Sequence, residues 1–426
     1  MDTAGPVLQA GPILQASLGL AALLLLAFLV SEDRRRIPWR TVAAGVVLQI
    51  AFALLLIDVP GTDRVMFWLN DAANALHTAT LAGTQFVFGY LGGGAPAFAE
   101  THPGASFILA FQALPLVLTI SALASLLFHW GILQRITAGF AWLLRRVMGI
   151  SGALALGAAV HVFVGMIEAP LLVRPYLARM QRGELFALMT CGMAGVAGTV
   201  MVIYASFLAP FVPNALGNIL IASIISTPAG LAIAALMVPF DPADRPNADL
   251  VIEDPPHSSL DALVKGTMDG VPILAAIIAT LLVTVALVTL ANMVLGLLPN
   301  WDGSAITLQR IFALPFRPVM WLIGVPWAET AAASTLMATK TVLNEFVAYM
   351  NFSTLPAETF SPRTRMILTY ALCGFANFGS LGIVIGGLGA MVPARRQEIV
   401  ALGLRTILSG TLATCMSGAV AGALMG

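Results

Sequence analysis

The sequence predicts an all-α integral membrane protein in which two parts of the chain contain interrupted helices. Of its 426 residues, 59% are hydrophobic and only 10% are charged, whereas a soluble domain carries roughly 25% charged residues. Several apolar runs approach the ~20 residues that a helix needs to cross a bilayer. Two further apolar regions, 151–240 and 326–390, are broken by glycine and proline, and each carries a glutamate within an apolar run.

The first apolar segment, residues 3–31, could be mistaken for a signal peptide. A signal peptide has positive charge before its apolar core, but here Asp2 precedes the segment and the arginines follow it. Those arginines are Arg34, Arg35, Arg36 and Arg40. We therefore expect a retained transmembrane helix at about 12–30. The arginines place the following loop in the cytoplasm and the N-terminus outside.

The remaining elements follow from apolar length and periodicity. Spans are predicted at 42–58, 106–130, 269–298 and about 398–424. Apolar and polar residues alternate helically at 62–92 and 133–149, which indicates amphipathic helices at the membrane interface. A loop at 241–261 is rich in proline and aspartate, and we expect it to be exposed.

The two broken regions resemble each other. Each begins with small apolar residues, reaches a glutamate, turns back, and enters a helix interrupted by small residues. The interruptions read CGMAGVAGT at 191–199 and CGFANFGSLG at 373–382. We interpret this as a duplicated unit of a helical hairpin and a discontinuous helix. Paired interrupted segments of this kind indicate a transporter binding site near the membrane midplane.

The glutamates of the two regions are Glu168 and Glu345. A charge at the centre of a membrane helix costs at least ~2.5–3.5 kcal/mol, so it needs partners in protein, water or ligand. Glu168 could pair with Arg174 and Glu345 with Lys340, although these spacings are poor for one helical face. We favour a functional role, because half-helix ends at membrane depth are tolerated where they line a cavity.

Other function classes have less support in the sequence. The zero net charge argues against a nucleic-acid partner. An intramembrane zinc protease would need HExxH, which is absent, and neither an aspartate pair nor a serine–histidine pair is convincing. A channel would favour rings of charge or a filter repeat. The cysteines Cys191, Cys373 and Cys415 lie in apolar segments and are expected to be buried and unpaired.

Four motifs in order resemble the concentrative nucleoside transporter family. They are GMIEAPLLVRPYL (165–177), GVAGTVM (195–201), TVLNEFVAY (341–349) and YALCGFANFGSLGIVIGGLGAMVP (370–393). The resemblance implies a homotrimer in the inner membrane that transports nucleosides and is not an enzyme. It implies about eight spanning helices, two re-entrant hairpins, interfacial helices and inverted repeats. An elevator-type movement would carry a transport domain against a scaffold.

The resemblance also implies a division of the chain. The scaffold would comprise mainly 1–150 and 262–326, and the transport domain 151–240 and 327–426. The exposed loop 241–261 would separate the two repeats. Partners would be the nucleoside, membrane lipid and further copies of the chain, and no cofactor is expected beyond a coupling ion.

Matched position by position, Glu345, Asn377 and Ser380 resemble the family's ribose-binding set. Phe375 would lie beside the substrate, Val200 would contact the base, and Glu168 would face the base side. Met166 and Ile167 stand where the family usually has Gln and Thr, so base recognition is expected to be permissive or to favour purines.

The cation-coupling positions also depart from the family pattern. His161 replaces Asn and Gly195 replaces a common Ser, while Ile167 contributes no side-chain oxygen. Backbone carbonyls at Val164, Gly195 and Val196 could still bind sodium. Proton coupling is therefore favoured, with sodium coupling, or transport of a modified nucleoside or related small polar molecule, as alternatives. A single histidine in an apolar segment is more often a packing residue than a titrating group, so packing is the favoured interpretation of His161.

Overall fold

The structure is a computed structural model of the chain. It describes residues 10–58, 62–98, 106–166, 168–241, 256–301 and 303–424. Within these ranges the chain is built from helices, and an isolated antiparallel bridge joins Trp301 and Ser304. Most of the loop predicted at 241–261 lies outside the described residues, as does Ile167.

The N-terminal part contains the predicted spans and interfacial helices. They are α1 (Ala10–Leu29), α2 (Trp39–Ala53, with a wider final turn Leu54–Asp58), α3 (Thr62–Phe88), α4 (Leu109–Gln112), α5 (Leu116–His129) and α6 (Ile132–Met148). Gly131 and Gly149 flank α6 with positive φ values of 73° and 71°. Glycine adopts this left-handed conformation without steric cost, so both ends of the amphipathic helix are sharply defined.

The first broken region contains two short hairpin helices, a short connecting helix, a discontinuous helix and one continuous span. Its elements are α7 (Gly152–Val160), α8 (Glu168–Leu172), α9 (Arg174–Leu177), α10 (Arg182–Ala194), α11 (Gly198–Leu208) and α12 (Ala215–Met237). Our sequence interpretation did not separate α12 from the broken segments around it. Pro228 lies inside α12. Almost the entire surface of this helix is buried, so neighbouring helices support it in spite of the proline.

The C-terminal part of the chain contains a second hairpin, a second discontinuous helix and a second continuous span in the same order, after two further helices. It consists of α13 (Ser259–Leu295), α14 (Leu308–Leu322), α15 (Thr330–Val342), α16 (Glu345–Thr354), α17 (Pro362–Leu372), α18 (Phe378–Met391) and α19 (Arg396–Leu424). The span predicted at 269–298 begins ten residues earlier, because the Ser258 hydroxyl accepts from Asp261 N and caps a polar first turn.

Each predicted hairpin and each predicted interruption is present. α7 with α8 and α15 with α16 form the two hairpins, and α10–α11 and α17–α18 are the two discontinuous helices. Counting each discontinuous pair as one crossing, the described residues make eight crossings: α1, α2, α4–α5, α10–α11, α12, α13, α17–α18 and α19. Five helices among these residues are individually long and apolar enough to span a membrane.

Helices α12 and α19 form the centre of the packing. Both are largely buried, and both contact α10, α17, α1 and α2. Helix α13 packs mainly along α5 and leaves most of its apolar surface exposed. Because such a surface is unfavourable in water, α13 is suited to contact lipid or another copy of the chain.

Candidate functional site

The tip of the second hairpin places Glu345 at the start of a helix. Helix α15 ends at Val342, and Asn344 is extended, with its side chain accepting from Val347 N at 2.9 Å. This cap makes Glu345 the first residue of α16, where free N–H groups and the helix dipole favour a carboxylate. The side chain is buried, with 4% of its surface exposed.

The second helix interruption brings an amide to this carboxylate. Asn377 caps α18 by accepting from Ser380 N through Oδ1 at 2.7 Å. Its Nδ2 then donates to Glu345 Oε2 at 2.9 Å. Because the capping bond occupies Oδ1, the orientation of the Asn377 amide is fixed as a donor toward Glu345.

Tyr204 supplies a second donor to Glu345. Its hydroxyl donates to Glu345 Oε1 at 2.7 Å. The Glu345–Lys340 ion pair considered as an alternative is not formed between these two described residues. Lys340 Nζ instead donates to Ala371 O at 2.8 Å and to Thr414 Oγ1 at 3.0 Å. The lysine therefore binds the C-terminal end of α17, where unpaired carbonyls attract a cation.

The tip of the first hairpin also carries a glutamate at the start of a helix. Glu168 is the first residue of α8, as Glu345 is of α16. A Cβ atom at Gly165 would collide with the Glu168 carboxylate, so the side chain folds back across this glycine. Met166 and Glu168 both line the cavity described next. Ile167 lies outside the described residues, so its predicted role stays a prediction.

A cavity of about 170 Å³ lies between the hairpin tips and the helix interruptions. Seven of the eight residues predicted to bind substrate line it: Met166, Glu168, Val200, Glu345, Phe375, Asn377 and Ser380. The sequence interpretation therefore identified residues that the fold brings together from four separate elements. That these residues contact a substrate remains a prediction.

Other residues of the cavity were missed from the sequence. They include Leu114, Tyr204, Thr280, Asn344 and Phe346. Tyr204 follows Val200 by one helical turn, so the i, i+4 spacing could have identified it. Asn344 precedes Glu345 and is a favoured N-cap residue type. Thr280 comes from α13, and no local pattern connects that helix with the site.

Of the residues predicted to bind a cation, the four that the structure describes are not among those that line the cavity. His161 ends α7 and is buried, and in the described part of the chain its Nε2 has no hydrogen-bond partner. Gly195 O accepts from Phe375 N at 3.2 Å. Val196 N donates to Ser223 Oγ at 3.4 Å. Val164 is half-buried in the hairpin tip. Ser223, which the sequence interpretation did not select, places a hydroxyl beside these positions.

The chain matches three family profiles. Residues 18–91 and 218–422 match "Na+ dependent nucleoside transporter" N-terminus and C-terminus, and residues 110–211 match "Gate: Nucleoside recognition". An "Uncharacterized transporter" of Haemophilus influenzae is 36% identical over 96% of the chain and 97% of its own length. "Nucleoside permease NupC" of Helicobacter pylori is 33% identical over 96% and 97%.

The chain is also similar to solved structures of a transporter called CNTnw. The structure of CNTnw in an inward-facing substrate-bound state is 35% identical to this chain, with a TM-score of 0.86. The similarity covers 97% of this chain and 98% of that one. At this identity and coverage, the predicted fold class of interrupted helices and paired hairpins is confirmed.

Proposed function

Because the chain belongs to the concentrative nucleoside transporter family, we propose that it is a proton-coupled nucleoside symporter. Its relatives are transporters, and this chain is a membrane transporter and not an enzyme. The observation that carries the proposal is the buried Glu345 carboxylate, held by Tyr204 and Asn377 and facing a cavity. A carboxylate with free lone pairs in a dry site is suited to accept from ribose hydroxyls.

The proposed substrate would lie across the cavity. Glu345, Asn377 and Ser380 would bind the ribose, with Phe375 beside the substrate. The base would contact Val200, Met166 and Ile167, with Glu168 on the same side. Methionine adapts to varied shapes, and an apolar pocket discriminates weakly between ligands, by ~10–200-fold per methylene-sized difference. We therefore expect several bases to be accepted.

Proton coupling is favoured by the residues at the cation positions. None of His161, Val164, Gly195 and Val196 carries a side-chain oxygen, whereas hard cations prefer oxygen ligands. The Gly195 carbonyl already accepts a hydrogen bond. Sodium coupling is the alternative, since the matching profiles are described as Na+ dependent. In that case backbone carbonyls and Ser223 would have to supply the ligands.

Uptake into proteoliposomes tests both parts of the proposal. Nucleosides should accumulate against their gradient, and purine and pyrimidine nucleosides should compete with one another. Replacing sodium by choline at constant pH should leave uptake nearly unchanged, and an inward proton gradient should raise it. Saturable dependence on sodium would contradict proton coupling. Absence of nucleoside uptake under either gradient would contradict the function itself.

A double variant tests whether the residues at the cation positions determine the coupling ion. His161→Asn/Gly195→Ser would add two side-chain oxygens at the cation positions. A Cβ atom at Gly195 has room, because the nearest atom, Ser223 Oγ, is 3.8 Å away. We expect the double variant to acquire sodium dependence that the native chain lacks. Gly386→Ala, at a position where a Cβ atom meets nothing within 4 Å, is the control and should acquire none.

We further propose that transport proceeds by an elevator-type movement. The scaffold would comprise mainly 1–150 and 262–326, and the transport domain 151–240 and 327–426. Helices α5 and α13 pack along each other, which supports grouping them in one unit. Helices α1 and α2 pack on α12 and α19, so the contact between the proposed units would include these helices.

The proposed location is the inner membrane, with the N-terminus outside and a homotrimeric assembly. Hydrogen bonds from Thr41 to Met148 O and from Arg395 to Leu177 O join several helix ends at one side of the molecule. That side carries most of the arginines: Arg34, Arg35, Arg36, Arg40, Arg145, Arg146, Arg179, Arg182, Arg395 and Arg396. This asymmetry supports a cytoplasmic position for the α1–α2 loop. Cysteine labelling from each side would test the orientation, and native mass spectrometry the trimer.

A further inference from the structure

Tyr204 stands out among the residues of the cavity that carry no predicted role. It lies on α11 in the first repeat, with 2% of its surface exposed. Its hydroxyl donates to Glu345 of the second repeat at 2.7 Å. This hydrogen bond joins residues 141 positions apart. Tyr204 also lines the cavity, so its hydroxyl meets the carboxylate at the edge of the proposed binding site.

The ring of Tyr204 is held independently of its hydroxyl. Its centroid lies 5.1 Å from that of Tyr349 and 6.0 Å from that of Phe346. Both neighbours belong to α16, the helix that Glu345 begins. Phenylalanine at position 204 would therefore keep the aromatic packing and remove only the donor, which makes the role of the hydroxyl testable.

The hydrogen bond from the Tyr204 hydroxyl matters because it occupies one of the acceptor positions of the Glu345 carboxylate. An ionised carboxylate offers about four lone-pair positions on two oxygens. Tyr204 occupies one on Oε1 and Asn377 occupies one on Oε2. The backbone N–H of Glu345 also donates to the carboxylate, and the acceptor capacity that remains on its two oxygens is open to a ligand. Two acceptors at the spacing of a carboxylate match the two neighbouring hydroxyls of a ribose ring.

We propose that Tyr204 is a positioning residue that fixes the Glu345 carboxylate to accept both ribose hydroxyls, and so makes the site selective for ribonucleosides. This inference rests on the proposed nucleoside transport. With one donor on each oxygen, the carboxylate plane is held from two sides, by α11 and by the capped start of α18. Without Tyr204, Oε1 is free to rotate away from the position that faces the ligand.

The test compares the Tyr204→Phe variant with the native chain in proteoliposomes. Inhibition constants are measured for a ribonucleoside and for its 2′,3′-dideoxy analogue, which lacks the two neighbouring hydroxyls proposed to donate to Glu345. Hydrogen bonds to charged groups are worth ~1.5–3 kcal/mol, so the constant for the ribonucleoside should rise about tenfold or more. The constant for the dideoxy analogue should change by less than about threefold, because that ligand does not use the carboxylate.

Tyr349→Phe is the matched control. Its hydroxyl is equally buried, but it donates to Thr369 O at 2.7 Å and does not bind Glu345. This variant should leave the ratio of the two constants unchanged. A second readout is Tyr204→Phe in a Glu345→Ala background, which lacks the acceptor of the tyrosine hydroxyl, so that loss of the hydroxyl should have no further effect.

The inference is overturned if Tyr204→Phe weakens both ligands equally, leaves the ratio unchanged, or behaves like Tyr349→Phe. An additive effect in the Glu345→Ala background also overturns it. Failure of the proposed function looks different, because the native chain would then take up no nucleoside at all. Thermal unfolding of each purified variant shows that a change in the constants reflects binding and not loss of fold.

Discussion

At the scale of single residues, Glu345 combines burial with a fixed orientation. Its carboxylate is almost fully buried and accepts from Tyr204 and Asn377. Each donor is itself held, by aromatic packing for Tyr204 and by the helix cap for Asn377. Preorganised acceptors bind a ligand without first having to be ordered, so this carboxylate is suited to recognition.

Glu345→Gln should weaken nucleoside binding about tenfold or more, since hydrogen bonds to a charged acceptor are worth ~1.5–3 kcal/mol. The glutamine amide is similar in size to the carboxylate. However, it places an N–H group where Tyr204 or Asn377 now donates a hydrogen bond. Equilibrium binding in detergent measures the effect. Glu358→Gln, at an exposed position, is the control and should bind as the native chain does. Unchanged affinity in a folded Glu345→Gln variant would contradict the assigned role.

At the scale of elements, the two interrupted helices hold each other in place. Phe375 N, in the second interruption, donates to Gly195 O in the first at 3.2 Å. Gly374 lies so close to α10 and α19 that a Cβ atom there would meet Met193 O of α10 at 2.9 Å and Thr414 Cγ2 of α19 at 2.6 Å. Backbone groups freed by each interruption are therefore used to join the repeats, as buried polar groups in a membrane require.

Gly374→Ala should destabilise the protein, because its methyl group would force two backbone segments apart. Overpacking of this kind typically costs about 1–3 kcal/mol. A lower thermal midpoint in detergent and reduced transport would show it. Gly386→Ala in α18 is the matched control: a Cβ atom there meets nothing within 4 Å, so the midpoint should stay the same or rise slightly. Equal midpoints for both variants would contradict the close approach at Gly374.

At the scale of the whole molecule, charged residues connect the helix ends at the arginine-rich side. Glu32, in the α1–α2 loop, accepts from Arg182 of α10 at 2.9 and 3.2 Å and lies 3.1 Å from Arg405 of α19. Arg182 also approaches Glu398 at 3.6 Å. The hydrogen bond from Arg182, with the positive charge of Arg182 and Arg405, lowers the pKa of Glu32 below its ordinary value of 4.5, against an opposing effect of burial.

Glu32→Gln should lower the stability of the protein by up to about 1 kcal/mol at neutral pH, the upper range for a partly exposed ion pair. A lowered pKa in the folded state means that the ionised group stabilises the fold above pH 4.5. That contribution is lost as the pH falls through the folded-state pKa. The difference in thermal midpoint from the native chain should therefore shrink below pH 4.5. A difference that does not change with pH would contradict the role of the charge.

The sequence by itself determined the class of protein and the positions of its unusual elements. Composition and apolar run length set the membrane environment, because a chain with 10% charged residues cannot solvate a soluble surface. Glutamates within apolar runs marked the two hairpin tips, and small residues such as those at 373–382 marked the interruptions, because caps and breaks depend on neighbouring residues alone. The resemblance of four motifs then identified seven of the residues that line the cavity.

Only the tertiary structure decided which groups meet. The donor to Glu345 on α11 is 141 positions away, and Lys340, only five positions away, binds Ala371 O and Thr414 instead. Thr280 reaches the cavity from α13 without any local signal. Such partners depend on how distant helices cross and rotate against one another. That arrangement is fixed by packing over the whole molecule, whereas sequence patterns report only which face of each helix is apolar.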